Sequence, residues 1–179
     1  MKGSVFFALA IGLVLACQQE KTASVDTTTN PTTSQESKQE RNKRIVLARM
    51  HGFETGNVDS VIRAENTAVD FIDRREGSIP KKGIQNARAG LLQLMKAFPD
   101  YKGDNFMAVA EGDDVLVYGE WSGTWKNDFL GMKATGKSFK TNDVAILKLN
   151  SEGKVVEHHG IQPFATIAKQ VGMRLPEHP

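Results

Sequence analysis

The sequence predicts an α+β fold, with helices gathered in the first part of the folded region and an antiparallel sheet after them. Three observations carry that expectation. Apolar residues recur at three- and four-residue steps as far as Phe98, and beyond Tyr101 they alternate singly between turn clusters. Nowhere does the chain adopt the strand–helix–strand alternation of a parallel α/β protein. A length of 179 residues suits one domain of ordinary size. The chain is 40% hydrophobic and 25% charged, which excludes collagen-like, coiled-coil and wholly disordered classes. Its 23 Lys+Arg against 21 Asp+Glu leave a formal charge of +2, far from the concentrated basic face of a nucleic-acid binder. A single cysteine excludes an internal disulfide and a cysteine-based zinc knuckle.

The elements follow in order. Lys2 precedes an apolar or small-residue run from Val5 to Leu15, too short for the ~20 residues of a membrane-spanning helix but suited to a secretory signal core. Leu13-Val14-Leu15-Ala16-Cys17 resembles a bacterial lipoprotein signal box, with Leu15 bulkier than is usual there. The resemblance implies a signal peptide over residues 1–16, cleavage before Cys17 and lipidation of that residue. Several acyl chains on one residue give stable anchoring. Residues 17–41 are then the lipidated cysteine and a Thr/Ser/Gln-rich tether, with Ala23 and Val25 its only apolar residues after the cysteine. Such a segment buries too little to offset its chain entropy, and its random-coil reach is roughly 25–30 Å. The expected location is the cell envelope, lipid-anchored to a bacterial membrane. Gln18 after the cysteine resembles outer-membrane sorting in Gram-negative bacteria.

Residues 42–179 form the expected domain. Val46, Met50 and Phe53 mark one face of a helix over Asn42–Thr55, stopped at Gly56. Asn57 caps a short second helix containing Val58, Val61 and Ile62. Residues 64–82 read as irregular, with loops at Gly77, Pro80 and Gly83. A third helix fits Lys82–Phe98, with Pro99 ending it. Strands are expected over Phe106–Glu111 and Val115–Ser122 around Gly112-Asp113-Asp114, then over Lys137–Leu149 and Lys154–Ile161 around Asn150-Ser151-Glu152-Gly153. A terminal helix fits Pro163–Gln170.

This order, and several segments within it, resemble the SnoaL-like polyketide cyclase family of nuclear-transport-factor-2-like folds. The segments are Phe53-Glu54-Thr55-Gly56-Asn57-Val58-Asp59, Ala97-Phe98-Pro99-Asp100, Glu111-Gly112-Asp113-Asp114-Val115, Gly123-Thr124-Trp125, Phe129-Leu130-Gly131-Met132 and Gly153 to Gly160 with Asp143 ahead of it. The resemblance covers about residues 42–173 and implies a cone-shaped curved sheet closed by the N-terminal helices. Three positions depart from the family pattern. Trp125 stands where histidine is frequent, His159 where tryptophan is frequent, and Pro163 where aspartate is common. The first two read either as an exchange of aromatic wall and imidazole across the cavity, or as drift.

The candidate chemistry centres on Asp143. Alternation in its strand puts Phe139, Thr141, Asp143, Ala145 and Leu147 on the more apolar side, so the carboxyl faces the cone's interior. Burial without a partner is costly and would raise its pKa toward the range of a general acid or base. The resemblance implies that the matching aspartate moves the proton in a cofactor-free ring closure. The alternative is an aspartate that only braces the sheet. His158 and His159 alternate across a strand and cannot chelate one metal together, so no metal site is expected. His159, in phase with Val155 and Glu157, is the expected cavity histidine. Tyr118, Trp121, Trp125, Phe129, Met132 and Phe139 are the expected pocket aromatics and their neighbours, with core packing as the alternative. Lys133, Lys137 and Lys140 read as a solvated rim, and no Gly-x-Ser-x-Gly turn supports a serine hydrolase.

The functional expectation is thus a lipid-anchored domain that binds a small hydrophobic or carbonyl-bearing molecule. Acid–base chemistry of the cyclase or isomerase type would sit at Asp143 and need no cofactor. The rival expectation is a non-catalytic ligand-binding or interaction module. An exposed sheet face makes a homodimer a further expectation.

Overall fold

The computed structural model describes residues 36–75, 79–161 and 164–175, which fall in one compact unit, Gln35–Pro179. The signal segment, Cys17 and most of the tether lie outside the described residues, as does Pro163. Helix α1 (Lys38–Glu54) begins four residues before the expected start. Ser37 caps it, its hydroxyl accepting from the Glu40 amide at 3.2 Å. That first turn is wholly polar, so apolar periodicity gives no sign of it. After α1 come α2 (Val58–Val61), β1 (Thr67–Arg75), β2 (Lys81–Lys82) and α3 (Ile84–Ala97). They are followed by β3 (Lys102–Glu111), β4 (Asp114–Thr124), β5 (Ser138–Leu149), β6 (Val155–Gly160) and α4 (Phe164–Val171).

The fold is α+β, a curved six-stranded sheet in the order β2-β1-β6-β5-β4-β3 with helices on its concave side. β3 to β6 form an antiparallel meander. β1 joins β6 in the parallel sense and β2 in the antiparallel sense. The segment expected to be irregular therefore contains a nine-residue strand. Its burial does not alternate: Thr67 and Ala68 are both buried, Val69 and Asp70 are both exposed, and Phe71 is buried again. Its register against β6 shifts between Thr67 and Ile72. A period-two search cannot detect such a strand.

Two apolar clusters fill the concave side. The larger joins Val46 and Met50 of α1 and Leu91 of α3 to Val115, Val117, Leu147 and Val155 of the sheet. At an average of about 25 cal/mol per Å2, burial of these side chains is the main force holding helices to sheet. The second cluster gathers Phe98, Trp125, Phe139 and Val171 at the α4 end.

Candidate functional site

A cavity of about 70 Å3 opens between α1, α3 and the sheet, lined by residues of β1, β3, β4, β5 and β6 as well. Its walls include the aromatic rings of Phe53, Phe71, Tyr101, Phe106 and Trp121, and its polar groups are Arg49, Asp73, Arg75, Asp143 and His158. Two glycines make the aromatic wall possible. A Cβ on Gly119 would lie 2.4 Å from Phe106, and one on Gly103 2.5 Å from the same ring, so Phe106 lies flat against bare backbone. Trp121 meets Phe53 edge-on at 4.8 Å and Tyr101 at 5.4 Å.

Asp143 sits where the alternation puts it, half-buried on the concave side of β5 and opposite Gly119. Arg75 and Tyr101 both lie within its electrostatic reach. Burial pushes the Tyr101 hydroxyl well above its ordinary range, so it remains a neutral phenol. Beside Asp143 the sheet assembles a second set of groups. Asp73 of β1 and His158 of β6 are register partners, and the Asp73 carboxylate meets His158 Nδ1 at 2.7 Å. Arg75 Nε donates to the other Asp73 oxygen at 3.1 Å.

The electrostatics of this set are directional. Burial opposes charge on Asp73, but the hydrogen bond from His158 and the charge of Arg75 prevail and hold its carboxyl down at about 2. Burial also lowers the His158 pKa, and the neighbouring guanidinium charges of Arg75 and Arg49 add to that. His158 is therefore neutral at pH 7 beside an ionised carboxylate. The carboxylate can only accept, so Nδ1 carries the proton and Nε2 is left as an acceptor.

His159 does not face the cavity. The antiparallel partners Lys148↔Glu157 and Leu149↔Val155 leave Val156 as an extra residue, a β-bulge that reverses the phase of everything after it. His158 consequently turns inward opposite buried Leu147, and His159 is exposed next to Ile146. Of the expected pocket residues, Trp121 lines the cavity. Trp125, Phe129, Met132 and Phe139 belong to the second apolar cluster instead, because the chain after Gly123 folds back over α4. Trp125 is 1% exposed, its indole donating to the Asn127 carbonyl at 2.8 Å. Tyr118 is on the convex face of β4, between inward-facing Val117 and Gly119. An exchange of Trp125 and His159 across the cavity is thus excluded, since neither residue reaches it.

Arg49, Asp73, Arg75 and His158 escaped the sequence reading. Asp73 and Arg75 belong to the strand without visible alternation, and His158 depends on the bulge. Arg49 alone left a signal: it stands three residues after Val46 and one before Met50, on the apolar face of α1. Among the described residues no three His, Cys, Asp or Glu side chains converge as a metal site would require, and no helix is long and apolar enough to cross a membrane.

Helices closing a curved sheet over a small cavity of mixed polarity define the class of cone-shaped α+β folds. The chain belongs to the SnoaL-like polyketide cyclase family, which it matches over residues 44–171. No curated protein matches it. It is similar to a candidate SnoaL-like polyketide cyclase from Jannaschia sp. CCS1, with 23% identity, 79% of this chain and 99% of that one covered, and a TM-score of 0.64. A candidate polyketide cyclase from Xanthomonas campestris pv. campestris gives 19% identity, coverage of 75% and 99%, and a TM-score of 0.66. TerC, crystallised with polyporic acid, gives 13% identity, coverage of 74% and 98%, and a TM-score of 0.58. At these identities the likeness to solved structures establishes the fold.

Proposed function

We propose that the cavity binds a small carbonyl-bearing molecule and moves a proton on it, without a cofactor, through Asp143. The observation that carries this reading is the convergence of Asp143, Arg75 and the hydrogen-bonded pair of neutral His158 and ionised Asp73 on one aromatic-walled cavity. Asp143 takes a proton from the carbon next to the carbonyl, the C–H electron pair becomes the enolate, and the protonated carboxyl returns the proton to carbon. Arg75 and the Tyr101 hydroxyl are the donors suited to the enolate oxygen. His158 Nε2 accepts from a ligand hydroxyl and fixes its orientation. The volume argues for a compact ligand, since pockets for drug-sized molecules run to ~300 Å3 or more. A fused-ring polyketide would need the Trp121 and Phe53 rings to swing aside.

The same reading places the domain outside the cytoplasm, held to a bacterial membrane by lipid on Cys17, with the Thr/Ser/Gln-rich segment as its tether. It also pairs two copies through the convex face of the sheet. The test of the chemistry is deuterium exchange from solvent into acetylacetone, followed by proton NMR at neutral pD. The wild-type chain should accelerate exchange over buffer, and Asp143→Asn should lose on the order of 100-fold of that rate while keeping its circular dichroism. Binding of acetylacetone with no acceleration by the wild type would assign the cavity to ligand binding alone.

A further inference from the structure

Arg49 is 5% exposed and lines the cavity, yet among the described residues no carboxylate lies within ion-pair distance of it, Asp73 acting only as a more distant charge. Its Nη1 donates to Thr67 Oγ1 at 2.7 Å, and its guanidinium carbon lies 5.8 Å from the centre of the Phe71 ring. Thr67 in turn donates to Asn66 Oδ1 at 2.8 Å, so that hydroxyl has no proton or charge left to offer. Burial pushes the Arg49 pKa down to about 10, and the group stays charged at neutral pH. A guanidinium has five N–H donors. Among the described residues no fully buried side-chain nitrogen or oxygen lacks a partner, so the Arg49 nitrogens that make no hydrogen bond keep some accessible surface, and Arg49 lines the cavity. The other guanidinium there, Arg75, gives its Nε to Asp73 and is the donor assigned above to the enolate oxygen.

We propose that Arg49 is the anchor for an anionic group, so that the ligand is a small carboxylate with its carbonyl carbon skeleton directed toward Asp143. A buried guanidinium that bonds only a hydroxyl, with the Asp73 carboxylate acting on it from beyond ion-pair distance, is costly, and an incoming carboxylate lowers that cost through charge-assisted hydrogen bonds. A neutral analogue of the same shape cannot. The inference rests on the cavity being a ligand site, as proposed above, and adds the class of ligand it selects.

The test is calorimetric titration of the full-length chain in detergent with acetoacetate and with the isosteric acetoacetamide. Acetoacetate should bind at least tenfold more tightly, Arg49→Gln should abolish the preference, and Arg49→Lys should retain part of it. In the wild-type protein, the Arg49 Nε resonance should move on adding acetoacetate and stay in place with acetoacetamide, which gives a readout even if Arg49→Gln fails to fold. Equal affinity for the two probes, no binding of either, a preference that survives Arg49→Gln, or an unmoved Arg49 resonance would each overturn the proposal. Intact carboxylate preference with no Asp143-dependent exchange would instead defeat only the proton-transfer chemistry.

Discussion

Asp73 shows how a single side chain sets the state of its neighbours. Its carboxyl titrates at about 2 against an ordinary value of 3.8, so the unfolded chain binds this proton more readily than the folded one. The stabilisation is fully present above about pH 4 and is lost as pH falls toward about 2. At neutral pH, Asp73→Asn should cost about 2 kcal/mol in urea unfolding. The gap between variant and wild type should close between about pH 4 and 2, and a constant gap would contradict the assignment. His158 acts in the same sense from a higher pH. Its lowered pKa means that below about 6.5 the unfolded chain gains a proton that the buried ring refuses. Asp143 was legible from alternation alone, because its strand keeps strict phase from Phe139 to Leu147.

At the scale of elements, what the sequence revealed depended on regular periodicity. β4, β5 and α3 alternate or repeat cleanly and stand within two residues of where the pattern puts them, whereas β3 begins at Lys102, four residues before its expected start, with its register shifted between Asp104 and Met107. β1 failed to register because charged residues occupy both of its faces: Asp73 and Arg75 point into the cavity, and Arg74 bonds Glu157 across the outer side at 2.7 Å. The bulge at Val156 is equally silent, since nothing in Val155-Val156-Glu157 distinguishes it from an even strand. Both irregularities lie in the elements that carry the site, as expected where polar function overrides simple patterning. The β3–β4 wall offers a direct check. Phe106 is clamped against both Gly103 and Gly119, so Gly119→Ala leaves the ring no easy retreat. That substitution should cost about 1–3 kcal/mol by thermal unfolding and weaken ligand binding as the ring moves into the cavity.

At the scale of the whole molecule, the convex face of the sheet stands out. Val109, Leu116 and Ile146 are consecutive cross-strand neighbours, as are Met107, Tyr118 and Val144. Met107, Val109 and Leu116 are 65%, 70% and 46% exposed, an apolar surface that monomers rarely present in one continuous area. In the proposed homodimer this surface is the interface, so Leu116→Lys should yield monomers in analytical ultracentrifugation and leave ligand affinity unchanged. The proposed anchoring makes a separate prediction. Cys17→Ser should move the protein from the membrane fraction to the soluble fraction after cell lysis, without affecting the cavity. Retention of the variant on membranes would remove the lipid anchor from the account.

The chain has two tryptophans, and the fold has put them in opposite circumstances. Trp125 is sealed among Phe98, Phe139 and Val171, while Trp121 stands beside Tyr101 at the cavity. The protein thus carries its own optical gauge: indole fluorescence from Trp121 responds to an occupant, against a steady background from Trp125. A Trp125→Phe variant would leave one emitter, and its quenching curve would count filled cavities without any label.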